Sequence, residues 1–105
     1  MSDIEQIKSL AGKRKIQLTN HALKRAVERG IDIENDIVFA LLGGEIIEEY
    51  PDDFPFKSYL VSGVALNGKA IHIVCAIGED LLWIITDYFP DSSEWENDFR
   101  TRKKV

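Results

Sequence analysis

The chain has 105 residues, of which 45% are apolar and 30% are charged, and its formal net charge is −5. This composition is typical of a globular protein and excludes a disordered one, and the acidic balance disfavours nucleic-acid binding by the chain as a whole. The sequence contains no signal-peptide pattern and no apolar run long enough to span a bilayer. We therefore expect a single cytoplasmic domain over residues 1–105, without membrane attachment.

Charge is distributed unevenly along the sequence. Residues 1–30 carry seven Lys or Arg against three Asp or Glu, residues 31–99 carry two against fifteen, and residues 100–105 carry four against none. The two basic ends could meet in space and form a local site for an anion. The alternative is that both ends are ordinary solvated termini.

Helices are predicted in the first part of the chain from capping residues and glycine stops. Their expected bounds are Ser2 or Asp3 to Gly12, Thr19 or Asn20 to Gly30, and Asp32 to Gly43-Gly44, with a brief extended piece at Ile16 and Leu18. In the second helix we expect Ala22, Leu23, Ala26 and Val27 to form the buried face, because they share one side at the helical period.

After Gly44 the apolar pattern changes to one that is typical of strands. The predicted strands cover residues 45–50, 57–66, 69–77 and 81–88. Asn67-Gly68 is a strong hairpin signal and residues 78–80 form another short link, so the strands should form an antiparallel meander. We expect an α+β fold in which the N-terminal helices pack on a four-stranded antiparallel sheet.

The second predicted helix carries His21, Arg25 and Arg29 at four-residue steps. At about 100° per residue these side chains form a polar stripe along one edge of the buried face. Such a stripe could hold a phosphate group or the carboxylates of a partner protein. Alternatively, the arginines are surface residues, or they pair with acids from the middle of the chain.

His72 lies in the third predicted strand. Counting from the turns places it opposite Gly63 and Thr86, on one face with Tyr88, while Cys75 points to the other face. This placement disfavours a Cys–His nucleophilic pair, and His72 could equally be a core residue bonded to backbone or to a hydroxyl. One cysteine allows no internal disulfide, and its spacing from the histidines does not suit zinc, so we expect no metal or cofactor.

Several motifs follow one another in a fixed order: H-x3-R-x3-R-G-I from His21 to Ile31, then GEIIEEYPDDFP, IHIV, and TDYFPD before a tryptophan. They resemble a bacterial family of short domains of unknown function that is akin to the RelE, BrnT and MqsR-type toxins. The resemblance covers about residues 18–99. It implies a barnase–EndoU–RelE-like fold, RNA binding and metal-independent RNA cleavage, and a small zinc-finger antitoxin as the partner.

The resemblance also implies a role for each matching residue. Metal-free phosphodiester cleavage needs a base, an acid and cations near the phosphorus. His21 or His72 would serve as base or acid, Tyr88 would position the substrate or transfer a proton, and Arg25 and Arg29 would hold the phosphate. Such toxins are usually basic, so the acidic middle of this chain could instead face a basic antitoxin. The alternative function is a non-catalytic protein-interaction module, in which the same residues hold the helix to the sheet.

Overall fold

The computed structural model describes residues 1–104, which form an α+β fold as expected from the sequence. The helices are α1 (Asp3–Gly12), α2 (Asn20–Arg29) and α3 (Phe39–Gly43), and a π-helical turn at Ile33–Val38 leads into α3. The strands are β1 (Ile16–Leu18), β2 (Glu45–Tyr50), β3 (Ser58–Val64), β4 (Ala70–Gly78) and β5 (Leu81–Tyr88).

Capping residues fix the ends of α1 and α2, as the sequence predicts. Ser2 forms a capping box with Glu5 at the start of α1. The Thr19 hydroxyl accepts a hydrogen bond from Ala22 N at the start of α2. Gly30 ends α2 with φ 65°, a left-handed conformation that glycine adopts without a Cβ clash.

The helix predicted from Asp32 to Gly43 begins and ends where expected, but its first part is not an α-helix. Residues Ile33–Val38 are π-helical. The Asp32 carbonyl oxygen accepts from both Asp36 N and Ile37 N at 3.1 Å, so one oxygen serves two successive N–H groups and the turn widens. Asp36 Oδ2 also accepts from Asp32 N at 2.6 Å. Apolar periodicity does not register such a change of hydrogen-bond pattern.

The sheet has five strands in the order β1-β5-β4-β3-β2 and is mixed, so the prediction of a four-stranded antiparallel meander was wrong. The four long strands do form the meander. The additional strand β1 pairs with β5 in parallel, from Ile16–Leu82 to Leu18–Ile84. A three-residue strand carries almost no periodic signal, and its partner lies far along the chain, so its pairing could not be read locally.

The predicted strand registers were also wrong. His72 pairs with Ser62 and Tyr88 rather than with Gly63 and Thr86. The β3–β4 hairpin closes with Ala65 N bonded to Lys69 O at 2.8 Å, which leaves three loop residues, 66–68. A bulge between Val74 and Cys75 shifts the pairing of β4 with β5. As predicted, His72 and Tyr88 still lie on one face of the sheet and Cys75 on the other.

The main core lies between the helices and one face of the sheet. Its sheet residues include Val61, Ile73, Cys75 and Ile84, all of them completely buried. His72 points to the opposite face, which the segment after β5 covers, with Trp95 only 2% exposed. Among residues 1–104, no helix has the length and apolar character needed to cross a membrane.

Helix α2 buries less than the sequence suggested. Ala22 and Ala26 face the core as expected, but Leu23 and Val27 are 49% and 74% exposed, so their predicted burial was wrong. The helix lies beside β5 and touches the core through its two small residues alone. The small Ala22 and Ala26 side chains let α2 approach the sheet closely, and the larger Leu23 and Val27 side chains face away from this contact.

Helix α3 approaches β3 at Gly63, where no side chain fits. A Cβ on Gly63 would overlap the carbonyl oxygen of Ala40 and lie 2.9 Å from the Ala40 Cβ. We expect Gly63→Ala to lower the free energy of unfolding by about 1–3 kcal/mol, because backbone cannot move aside as a flexible side chain can. Urea unfolding followed by circular dichroism measures this loss.

Gly43→Ala is the matched control for Gly63→Ala. A Cβ at Gly43 meets nothing within 4 Å, and the residue ends α3. Alanine favours the helical conformation over glycine, so the control should keep or slightly raise the stability. Equal stability of the two variants would contradict the close packing of α3 on β3.

Candidate functional site

A cleft of about 620 Å³ lies between α2 and the C-terminal end of β5, and we call it the α2–β5 cleft. Its lining is His21, Arg25, Arg29, Thr86, Tyr88, Phe89, Asp91, Glu94, Trp95 and Arg102. The cleft therefore collects a histidine, a tyrosine and three arginines from segments that are distant in sequence. A cationic recess of this kind is suited to an anionic group.

The edge of β5 determines where α2 lies. The pairing with β1 ends at Leu18–Ile84, so the last residues of β5 have no neighbouring strand on that side. Thr19 continues along this edge, because its N–H donates to Ile84 O at 3.0 Å and its hydroxyl donates to Ile85 O at 3.1 Å. The helix begins there and brings its polar stripe beside the end of β5.

The stripe predicted from the sequence faces the cleft. Arg29 Nη1 donates to the backbone oxygen of Asp87 at 3.0 Å, which fastens the last turn of α2 to β5. Among residues 1–104, Glu28 is the one carboxylate neighbour of Arg25, at 3.7 Å, and the Arg25 side chain is 40% exposed. Within residues 1–104 neither His21 nor Arg25 is engaged in a side-chain hydrogen bond, so both can contact a ligand.

His72 does not line the cleft, although the sequence suggested that it would join the other four residues there. It is completely buried and lies behind Tyr88. Its Nε2 lies 2.6 Å from Phe99 O and its Nδ1 lies 3.2 Å from the Tyr88 hydroxyl. The Trp95 ring packs edge-on against the imidazole, with centroids 4.5 Å apart. His72 is therefore a buried residue bonded to backbone and to a hydroxyl, which was the alternative interpretation of its sequence context.

The hydrogen bonds of His72 determine its tautomer. A carbonyl oxygen can only accept, so Nε2 carries the proton and donates to Phe99 O. Burial lowers the pKa of His72, so the ring is neutral and Nδ1 is free to accept from the Tyr88 hydroxyl. Burial likewise raises the pKa of Tyr88. The Tyr88 hydroxyl hydrogen therefore points at His72, and its oxygen lone pairs are available to the cleft.

The C-terminal segment supplies the second wall of the cleft, which the sequence analysis did not identify. Arg102 donates to both carboxylate oxygens of Glu48, at 2.7 and 3.2 Å, and its guanidinium lies 4.6 Å from the centroid of the Trp95 ring. The bonds from Arg102 lower the pKa of Glu48. The sequence allowed that the basic C-terminal end meets the basic N-terminal end at an anion site, but it did not single out Arg102 as a lining residue.

Asp87 is the second residue that the sequence analysis missed. It pairs with Ile73 and so belongs to the helix-facing side of β5, where it is completely buried. Neither carboxylate oxygen has a hydrogen-bond partner within residues 1–104. Burial raises the pKa of Asp87 to about 6, against the opposing pull of Arg29 and His21. A carboxyl group that titrates so close to the stripe can change the charge of the cleft near neutral pH.

No three His, Cys, Asp or Glu side chains within residues 1–104 are arranged to hold a metal ion. Cys75 lies in the core, and burial raises the pKa of its thiol to about 12. The thiol is therefore protonated and shielded from reagents, which makes it unsuited to nucleophilic chemistry.

A family model described as a domain of unknown function, DUF4258, matches residues 18–89. The chain belongs to the DUF4258 family. No curated protein and no solved structure matches the chain. The expectation of a family of unknown function over most of the chain is confirmed. The DUF4258 segment includes His21 and Tyr88, whereas Trp95 and Arg102 lie beyond it, so one wall of the cleft is built from residues outside the DUF4258 match.

The buried carboxyl of Asp87 makes a prediction about stability and pH. Its pKa of about 6 in the folded state exceeds the ordinary value of 3.8, so the folded protein keeps this proton over a range in which the unfolded chain loses it. The contribution of Asp87 to stability therefore falls as the pH rises from about 4 to about 6, by roughly 3 kcal/mol, and stays low above that range.

Asp87→Asn removes this titration. Relative to the wild type, the free energy of unfolding of the variant should rise by roughly 3 kcal/mol between pH 4 and pH 7.5, measured by urea unfolding at each pH. Asp98→Asn is the control, since bonds from Arg100 N and Thr101 lower the pKa of Asp98 and make its dependence run the opposite way. A pH-independent difference for Asp87→Asn would contradict a buried, titrating carboxyl.

Proposed function

We propose that the protein is a toxin-like, metal-independent endoribonuclease of a toxin–antitoxin pair, related in fold to the RelE-type toxins. The observation that carries the proposal is that His21, Arg25, Arg29 and Tyr88 line one cleft. These four residues were selected from the sequence as candidates for phosphodiester chemistry. A small site with cations beside two proton-transfer groups meets the requirements of that reaction.

The reaction is transfer of the phosphoryl group within the RNA. The ribose 2′-oxygen attacks the neighbouring phosphorus, a new O2′–P bond forms, and the P–O5′ bond breaks. One proton leaves the 2′-hydroxyl and one proton is delivered to the departing 5′-oxygen. The products are a 2′,3′-cyclic phosphate and a free 5′-hydroxyl, with no net change in charge or protons.

Tyr88 is the proposed acceptor of the 2′-hydroxyl proton. Its oxygen takes this proton as its own proton passes to His72 Nδ1, along the hydrogen bond that already joins the two groups at 3.2 Å. His72 acts through Tyr88 and does not touch RNA, so it is a positioning residue. His21, which lines the same cleft, is the proposed donor of the second proton to the 5′-oxygen.

The arginines are the proposed electrostatic partners of the phosphate. Arg25 is the most available of them, since its one carboxylate neighbour lies at 3.7 Å and its side chain is partly exposed. Arg29 and Arg102 are held by Asp87 O and Glu48 and add charge from two sides. Fixed cations stabilise the extra negative charge of the pentacoordinate phosphorus without having to reorganise during the reaction.

Acidic residues limit how RNA would bind. Asp91 and Glu94 also line the cleft, and the whole chain carries a net charge of −5. Contacts with RNA should therefore be confined to a few nucleotides at the cleft, with an affinity that decreases steeply as salt is added. A small basic antitoxin of the zinc-finger type would be the matching partner of the acidic surface.

The second candidate is a non-catalytic protein-interaction module. The observation in its favour is that Arg29 and His72 already have hydrogen-bond partners that join parts of the fold. In this case the cleft residues would maintain structure, and the carboxylates at the cleft would exclude RNA. The two functions differ in what purified protein does to RNA.

The decisive experiment is incubation of purified protein with a fluorescent RNA in the presence of EDTA. Cleavage should yield 2′,3′-cyclic phosphate ends, detected by electrophoresis and mass spectrometry. Arg25→Ala and Tyr88→Phe should each slow cleavage by about 100-fold or more, because a charge partner and a proton-transfer group are lost. Thermal unfolding checks that each variant is folded.

Two control variants isolate the effect of the cleft. Lys24→Ala removes a cation from the same helix outside the cleft, and Tyr59→Phe removes a hydroxyl that donates to Asp3 at 2.7 Å, far from the α2–β5 cleft. Both should cleave like the wild type. Equal loss in the controls, or no cleavage by folded wild type, would remove the nuclease proposal and leave the interaction module.

A further inference from the structure

A second depression, of about 610 Å³, lies between the β2–β3 connection and the β4–β5 turn. It shares no lining residue with the α2–β5 cleft. We call it the aromatic groove, and its lining is Thr19, Asp53, Phe54, Pro55, Phe56, Ala76, Glu79, Trp83 and Ile85. Trp83 is only partly buried here.

The aromatic groove leaves three large aromatic side chains, Phe54, Phe56 and Trp83, at least partly exposed. Phe54 lies in the β2–β3 connection and is 94% exposed. Phe56 packs against Gly78 and is partly buried. Trp83 Nε1 donates to Gly78 O at 3.2 Å, so the polar atom of the indole is satisfied and its ring remains for apolar contact. Clustered aromatic surface of this kind marks a contact site more often than scattered single residues do.

The rim of the groove is acidic. Asp53 and Glu79 line it, and Asp52 and Asp80 are their exposed neighbours in sequence. Within residues 1–104, no Lys or Arg forms a salt bridge with any of these four acids. Lys57, the nearest base in sequence, is bound to Glu49 at 2.5 Å. Lys13 lines a neighbouring depression with Glu79 and Asp80, but no ion pair within residues 1–104 neutralises the four acids. The rim therefore favours cations over phosphates.

We propose that the aromatic groove binds a segment of a partner protein in which Lys or Arg flanks a large apolar side chain. The apolar side chain enters between Phe54, Phe56 and Trp83, and the flanking cations face Asp53 and Glu79. Aromatic faces also attract cations, which adds to the preference for a basic segment. RNA is disfavoured by the same four acids, and the proposal does not depend on nuclease activity in the other cleft.

Three synthetic peptides of about six residues test the proposal by titration of ¹⁵N-labelled full-length protein: KKLFKK, KKGSKK and EELFEE. Only the first should move the amide and indole signals of Phe54, Phe56 and Trp83, and its affinity should fall with added salt. Equal shifts with KKGSKK, which lacks a large apolar side chain, or with the acidic EELFEE would overturn the proposal, and so would the absence of shifts with KKLFKK. Shifts at the groove on addition of a short RNA would also overturn it.

Variants locate the contact. Phe54→Ser should weaken KKLFKK binding by about tenfold or more, because a central aromatic anchor is removed. Glu79→Gln combined with Asp80→Asn should weaken binding and flatten its salt dependence. Leu66→Ser is the matched control, because Leu66 is an apolar residue of the β3–β4 loop with 59% exposure. The Leu66→Ser variant should bind KKLFKK as the wild type does. Normal binding by Phe54→Ser would refute the assignment.

A second copy of this chain is the competing occupant, because residues 13–15 are themselves basic. Analytical ultracentrifugation distinguishes the two. A monomeric wild type that binds KKLFKK supports the proposal. A dimer that Phe54→Ser dissociates would show instead that the groove joins copies of this chain, and the proposal of a separate partner would be overturned.

Discussion

The imidazole of His72 joins the sheet to the segment that follows it. One ring nitrogen bonds to Phe99 O, the other meets the Tyr88 hydroxyl, and Trp95 packs on the ring. Because the ring is buried, an unpaired nitrogen would be costly, so both contacts are needed at once. The position of Tyr88 and the path of the C-terminal segment are therefore coupled. These contacts help to hold the second wall of the α2–β5 cleft, together with the bonds from Arg102 to Glu48.

The molecule separates its charges onto different surfaces despite its net charge of −5. The cations that face the α2–β5 cleft come from α2 and from the C-terminal segment, while uncompensated acids surround the aromatic groove. The arginines outnumber the acids Asp91 and Glu94 in the cleft, whereas the charged lining residues of the groove are acids, so the two surfaces favour different ligands. The proposed nuclease cleft and the proposed partner groove therefore do not compete for the same ligand. Asp87, buried between strand and helix, couples the cationic surface to pH.

The local sequence was enough to find most elements of the fold. The capping residues and Gly30 gave α2 its limits, and β2 and β5 have the predicted bounds. Two differences are local, the π-helical turn at Ile33–Val38 and the three-residue loop 66–68, and the others depended on contacts between segments. These include the parallel pairing of β1, the bulge at Val74 and Cys75, and the exposure of Leu23 and Val27. Apolar periodicity indicates the type of each element, but not which strand it pairs with or which side chains pack against it.

For the candidate site, sequence alone determined that His21, Arg25 and Arg29 share one helix edge, because a regular helix repeats every few residues. It also determined that His72 and Tyr88 share a sheet face opposite Cys75, because side chains alternate along a strand. Only the tertiary structure decided that His72 lies behind Tyr88 and that Arg102 faces α2. It also decided that Asp87 is buried with no hydrogen-bond partner in the part of the chain that the structure describes. Burial and charge proximity arise from packing between remote segments, and no local pattern encodes them.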